Sequence, residues 1–217
     1  GLFGYFTTHV ATSDIEKFNF LAFLSTTRGK DSTGVMSMIR HGNWGAKKDV
    51  RYHFLKSPVP AWKFLEMDEY QSMVRYTDTK GFMGHCRAAT VGAVNSSNAH
   101  PFESPNGTII GCHNGTISGE YPFKQVGKTD SEAMMALIED QGLKGLNKVT
   151  GAWAFTYLDF DNDTFNIIRN RERPLFYFVS RIGDFAYASE KWMLEAMQEK
   201  FTVSGEILSL EPYKLLT

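Results

Sequence analysis

Cysteine is scarce in this chain of 217 residues, with Cys86 and Cys112 the only two. Two thiols build no disulfide framework, and that fits a reducing compartment. An excess of charge of either sign is also lacking. Twenty-three Lys and Arg stand against 24 Asp and Glu, for a formal net charge of -1, so there is no electrostatic footprint for nucleic acid or an anionic membrane surface. No apolar run approaches the length of a membrane span, and no charged-then-apolar leader opens the chain. The six histidines show no zinc-type spacing with one another or with cysteine. Low-complexity tracts, repeats and Ser/Pro-rich linkers are absent. These absences point to a soluble cytoplasmic protein with no metal or other cofactor and no nucleic-acid or membrane partner.

A 42% share of hydrophobic residues is enough for a sizeable core, and residues 1–217 read as a single domain. Strands are expected at Leu2–Phe6, Gly34–Arg40, Val50–Leu55, Gly81–Cys86, Thr108–His113, Ala152–Leu158, Phe165–Arg169, Leu175–Val179 and Phe185–Ala188. Their aromatic and β-branched content, bounded by Gly, Asn or Asp, carries that reading. "EILSLEPYKLL" near the end reads as a last strand. The link His41–Gly45 and the pair Asn106-Gly107 look like hairpin turns.

Helices are fewer. Ser13 and Glu16 fit a capping box ahead of the stripe Phe18, Leu21, Leu24. Thr129 and Glu132 repeat the pattern before "AMMALIED", and Gly142 stands where a helix stop is expected. "EKWMLEAMQEK" reads as another helix, and Pro60 as the start of one with Trp62, Leu65 and Met73 facing inward. Antiparallel-looking strands with helices near the start and late in the chain make the fold class α+β.

Four short patches carry chemistry, each with a plainer reading beside it. "RGKDSTG" (Arg28–Gly34) is a helix stop and turn on its own terms. "GHCRAAT" (Gly84–Thr90) sets Arg87 and Thr90 past the end of an apolar strand, where Arg87 is either solvated or turned into a pocket as a planar fork for a carboxylate. The following "NAHPF" contains His100, which reads as structural when taken alone. "HNGTI" (His113–Ile117) is either a hairpin turn or an oxyanion hole made from the Asn114 carboxamide and the Gly115 N–H. "TDSE" (Thr129–Glu132) is a helix cap, or a cap whose Asp130 also faces a ligand ammonium group. A fifth stretch, "DFDNDTFNIIRN", begins like a calcium loop, but Thr164 stands where Gly is needed and Asn170 where a bidentate Glu is needed. It reads as a solvated hairpin turn.

Taken in order, the four patches resemble the glutaminase domain of the class II glutamine amidotransferases, the N-terminal-nucleophile type. The run Gly84-His-x-Arg-x-Ala-Thr90 followed by Asn98-Ala-His-Pro101 is most similar to the glucosamine-phosphate synthase version. "GAWAFTYLD", "RERPLFYF" and "YASE" resemble that family's second sheet, so the likeness spans nearly the whole chain. The resemblance implies a four-layer αββα sandwich of two antiparallel sheets.

It also implies what stands ahead of Gly1. Family members begin Cys-Gly-Ile/Leu-Phe-Gly, and Gly1-Leu2-Phe3-Gly4 matches the second to fifth of those residues. The expected nucleophile is therefore a cysteine immediately before Gly1. A terminal cysteine carries its own base, because an α-amine with a reference pKa of about 7.7–8.0 is partly unprotonated at neutral pH. By the same resemblance Asn114 and Gly115 form the oxyanion hole, and Arg28 and Gly29 lie near the nucleophile's amine. Arg87, with Thr90, binds the α-carboxylate of glutamine, Asp130 binds its α-ammonium, and His100 belongs with the substrate pocket. The loop from Arg87 towards Asn95 closes over the substrate, with Gly92 as a hinge. The implied reaction is hydrolysis of glutamine to glutamate and ammonia, with the ammonia passed to an unidentified acceptor on a synthase that is either a separate chain or a domain of the same longer protein. The alternative is an inactive glutamine-binding domain acting as sensor or scaffold.

Overall fold

The computed structural model describes residues 1–40, 50–89, 92–118 and 129–217. Thr90 and the expected turn at His41–Gly45 lie outside the described residues. In chain order the elements are β1 (Leu2–Phe6), α1 (Thr12–Ser25), β2 (Ser32–Arg40), β3 (Val50–Ser57), α2 (Ala61–Phe64), α3 (Asp68–Val74), β4 (Thr79–Arg87) and β5 (Phe102–Glu103). They continue with β6 (Ile109–Ser118), α4 (Asp130–Gln141), β7 (Thr150–Asp159), β8 (Thr164–Arg169), β9 (Phe176–Ser180), β10 (Phe185–Ala188), α5 (Lys191–Phe201) and β11 (Gly205–Ser209).

The strands form two sheets, one of order β11-β9-β10-β1-β4-β2-β3 and one of order β5-β6-β7-β8. Every pairing is antiparallel. Because successive side chains of a strand point to opposite faces, each sheet buries two sets of residues. Phe3, Tyr5, Phe82 and Phe178 of the larger sheet pack under Phe18, Leu21 and Ala22 of α1 and Met193, Leu194 and Met197 of α5. Leu2, Met36 and Met83 turn the other way and meet Ile110, Cys112, Ala154 and Leu158 between the sheets. On the far side of the smaller sheet, Phe155, Tyr157 and Ile168 pack against Met134, Leu137 and Ile138 of α4. The result is the four-layer αββα sandwich that the resemblance implies. Each fully buried aromatic or aliphatic side chain adds about 1.5–3 kcal/mol relative to an exposed one.

Several local expectations are corrected. The capping residue of α1 is Ala11, whose N–H donates to Asp14 Oδ2 at 2.9 Å, so Ser13 and Glu16 do not form the box. Thr129 does occupy the cap position of α4, but its hydroxyl makes no capping bond and is buried without a partner. Gly142 ends α4 with φ at 60°, as its position suggests. The region after Pro60 holds two short helices rather than one. They bury Ala61, Phe64, Tyr70 and Val74, and Leu65 and Met73 pack partly buried against the same core as expected, while Trp62 is 39% exposed. Gly107, at φ 71°, turns the chain between β5 and β6. Asn114-Gly115 turns nothing, since β6 runs straight through it. The acidic stretch after β7 is a turn in which Asp159 accepts both the N–H and the side-chain amide of Asn162. Among the described residues no helix is long and apolar enough to cross a membrane.

Candidate active site

The inter-sheet layer changes character along its strands. On β4 the alternation that turns Met83 into the core also turns His85 and Arg87 to that side, nearer the strand's end. On β6 it does the same for Asn114, beyond Ile110 and Cys112. Apolar core thus grades into polar groups at one end of the sandwich. A cavity of about 150 Å³ opens there, lined among others by Gly1, Arg28, Arg87, Asn114, Gly115 and Asp130. His100 lines it as well. The fold therefore brings together Gly1, Arg28, Arg87, His100, Asn114, Gly115 and Asp130, while Gly29 and Gly92 are not among the lining residues.

Each wall has a local cause. Gly115 sits in mid-strand at φ 147°, and a Cβ there would stand 1.8 Å from the Ala152 carbonyl oxygen, so only glycine fits. Asn114 beside it donates from Nδ2 to the Ser189 hydroxyl at 3.4 Å. Asp130 is the first residue of α4, where a carboxylate is favoured by the helix dipole, and it accepts the Ile117 N–H at 3.0 Å. Arg87 is 6% exposed and donates to the Ala93 carbonyl at 3.3 Å. Burial lowers the Arg87 pKa, and the carboxylates of Asp31 and Asp130 oppose that loss.

The turn after α1 passes directly over the end of β4. A Cβ on Gly29 would fall 2.2 Å from the Arg87 carbonyl carbon, so this crossing needs glycine. The crossing carries Arg28 beneath the start of β1, where its guanidinium pairs with Glu190 at 3.0 Å. At that start Gly1 and Cys86 exchange backbone hydrogen bonds, extending the β1–β4 ladder by one pair. Burial lowers the pKa of the Gly1 amine to about 5, so a free amine here is neutral at pH 7.

Neither cysteine is poised as a nucleophile. Both are buried, and burial pushes the Cys86 thiol up to about 11 and that of Cys112 higher still. The cavity wall also holds a buried polar chain, of which the sequence singled out only His100 as a site residue. His100 Nε2 lies 3.0 Å from Ser131 Oγ, and Ser131 Oγ lies 3.1 Å from His113 Nδ1. The His85 ring sits 4.1 Å from that of His100. Burial, reinforced by nearby positive charge, holds the pKa of His85 and His100 well below 6.5, while burial lowers that of His113 to about 4. All three are neutral at pH 7. Arg173 also lines the cavity and keeps its Nε buried without a hydrogen-bond partner among the described residues. Neither Arg173 nor Ser131 stands out by motif: Arg173 lies at the edge of a stretch read only as sheet, and Ser131 inside a helix cap that is complete without it.

The profile of the glutamine amidotransferase domain matches residues 71–211. The chain belongs to that family. This glutamine amidotransferase domain is of class II, the N-terminal-nucleophile type, similar to that of the glutamine–fructose-6-phosphate aminotransferases. It is 31% identical over 189 residues to a glutamine–fructose-6-phosphate aminotransferase (isomerizing) of Thermococcus kodakarensis, covering 77% of this chain and 29% of the relative. A Staphylococcus aureus protein of the same name is 31% identical over 160 residues, covering 63% of this chain and 26% of that one. The domain thus spans less than a third of the length of these curated relatives. Among solved structures, the glutamine phosphoribosylpyrophosphate amidotransferase of B. subtilis superposes with a TM-score of 0.66 at 18% identity, over 99% of this chain and 46% of that one. A predicted glutamine amidotransferase from Pseudomonas aeruginosa superposes with a TM-score of 0.53 at 15% identity, over 99% and 95% of the two chains. At such identities the superpositions speak for the fold.

Proposed function

We propose that this domain hydrolyses L-glutamine to glutamate and ammonia through the thiol of a cysteine immediately preceding Gly1, and that the ammonia passes to a synthase. The observation that carries this is the register of β1. Leu2 pairs with His85 and Gly1 with Cys86, so a residue ahead of Gly1 would extend the ladder opposite Arg87. The period of two would turn its side chain to the same face as Leu2, towards Asn114 and the cavity.

In this reading the cysteine's own amine takes the thiol proton, and the thiolate attacks the side-chain amide carbon of glutamine. The Asn114 carboxamide and the Gly115 N–H hold the oxyanion. The C–N bond breaks as the α-ammonium returns its proton to the departing nitrogen, which leaves as ammonia. Water then cleaves the γ-glutamyl thioester to glutamate and restores the thiol. Arg87 pairs with the substrate α-carboxylate and Asp130 with its α-ammonium, a combination that selects the free amino acid over glutamine within a peptide.

The test is to produce the chain with cysteine and with serine ahead of Gly1 and to measure glutamate release. The expected result is turnover with cysteine only, and a single adduct of 6-diazo-5-oxo-norleucine on that residue. Glutamine binding in calorimetry without turnover in the cysteine form would replace this reading with a glutamine-binding sensor or scaffold.

A further inference from the structure

Two adjacent residues just beyond β10 hold both sides of the proposed nucleophile's position. Ser189 is fully buried. Its backbone N–H donates to the Leu2 carbonyl at 3.0 Å, in line with the antiparallel ladder, while the Leu2 N–H donates to the Ser189 hydroxyl at 2.8 Å. The same hydroxyl oxygen accepts from Asn114 Nδ2 at 3.4 Å. One side-chain oxygen therefore ties the start of β1 to the carboxamide on β6. Glu190 stands at the N-cap of α5 but makes no capping bond. Its carboxylate instead meets Arg28 Nη1 at 3.0 Å. The stem of Arg28 in turn covers Gly1, with its Cβ and Cγ 2.7 and 2.8 Å from where a Cβ on Gly1 would stand.

We propose that Ser189 and Glu190 are positioning residues for glutamine hydrolysis: Ser189 orients the Asn114 carboxamide relative to the start of β1, and Glu190 holds Arg28 against Gly1. The inference rests on the function proposed above. Ser189 is within reach of both groups that must stay in register, the Leu2 backbone at the start of β1 and the oxyanion donor. A carboxamide has a broad, soft terminal torsion, and loss of one such donor costs on the order of 10²–10³ in kcat. A partner that narrows the torsion therefore acts on the rate and leaves the carboxylate and ammonium contacts of the substrate unchanged.

The test uses the chain with cysteine ahead of Gly1. Ser189→Ala is expected to lower kcat by about tenfold, a fraction of what outright donor loss costs, with KM within twofold. Ser189→Thr, which keeps the hydroxyl, is expected to recover most of that rate. In an Asn114→Ala background Ser189→Ala should change kcat by less than twofold, because the two act as one unit. An equal loss in both backgrounds would overturn the role through Asn114. Glu190→Gln is expected to lower kcat severalfold and to add nothing in an Arg28→Ala background; an additive loss would overturn its role through Arg28. Should the parent itself show no turnover, the functional reading fails, and the geometry is judged by NMR. Ser189→Ala should then shift the Asn114 side-chain amide resonances, and unchanged resonances would overturn the proposal.

Discussion

His113 Nδ1 lies 3.1 Å from the Ser131 hydroxyl, which joins a strand of the smaller sheet to the first turn of α4. Burial keeps this imidazole neutral: the His113 pKa falls to about 4, with His85 and His100 also well below 6.5. In the unfolded chain each takes up a proton near pH 6.5. Between that pH and the depressed folded values the unfolded state binds more protons, so stability rises with pH. The urea midpoint should therefore be flat above about pH 7.5 and fall steadily from 6.5 towards 4. A chain that begins at Gly1 adds a second slope between pH 8 and 5 from its buried amine, whose pKa is about 5. Joining a residue ahead of Gly1 removes that slope. A midpoint constant from pH 7 to 4.5 would mean that the histidines are solvated.

The two charged contacts proposed for the ends of the substrate make a separate prediction. Arg87 and Asp130 lie on different elements, β4 and α4, and line the same cavity. A hydrogen bond to a charged group contributes about 1.5–3 kcal/mol, or about 10–150-fold. Arg87→Met and Asp130→Asn should each raise KM for glutamine by about that factor and leave the fold intact by thermal melting. Glutaminamide, which lacks the α-carboxylate, should discriminate little between the parent and Arg87→Met. Strong discrimination would assign Arg87 to some other part of the ligand.

At Gly115 sequence and structure tell different stories. The pair Asn114-Gly115 reads as a hairpin from local chemistry, yet β6 continues through it to Ser118. The positive φ is a real demand for glycine, but here it falls inside a strand paired along its length with β7. Gly115→Ala would put a Cβ 1.8 Å from the Ala152 oxygen. It should cost on the order of 1–3 kcal/mol from the dihedral alone, with the clash added, and lower the melting temperature. A melt identical to the parent's would show that the strand relaxes freely at this position.

Much of the fold was legible because the strands announce themselves. Leu2–Phe6 and Phe185–Ala188 agree to the residue and most others to within two residues at their ends, but β6 runs five residues past the expected His113 and the last strand stops at Ser209, well short of the stretch expected. Two-residue β5 carries too few side chains to show any period. At α1 the cap chemistry of Ser13 misleads, because Asp14 accepts the Ala11 N–H there; at α4 Thr129 does stand at the cap position, but its hydroxyl makes no capping bond. Of the site, Arg87, Asn114 and Asp130 stood out by motif. His113, Ser131, Ser189 and Arg173 did not, because their roles come from contacts between elements far apart in the chain. Ser189 is 187 residues from Leu2, whose N–H it accepts. No local pattern encodes that distance.

The segment after Arg87 offers the last test. Arg87 Nη1 and Asn98 Nδ2 both donate to the Ala93 carbonyl, at 3.3 and 2.9 Å. Asn98 is 4% exposed and is itself fixed by Asn95, whose side chain accepts the Asn98 N–H at 2.9 Å. One carbonyl therefore ties the guanidinium to the loop that follows it. Asn98→Ala removes the shorter of the two bonds and frees the loop to move with respect to Arg87. A neutral hydrogen bond of this kind contributes about 1 kcal/mol, so KM for glutamine should rise by about fivefold while kcat changes less than twofold. The split matters because the loop touches the group proposed for the substrate carboxylate and not the oxyanion donors. A fall in kcat at constant KM would move the loop's influence from binding to chemistry.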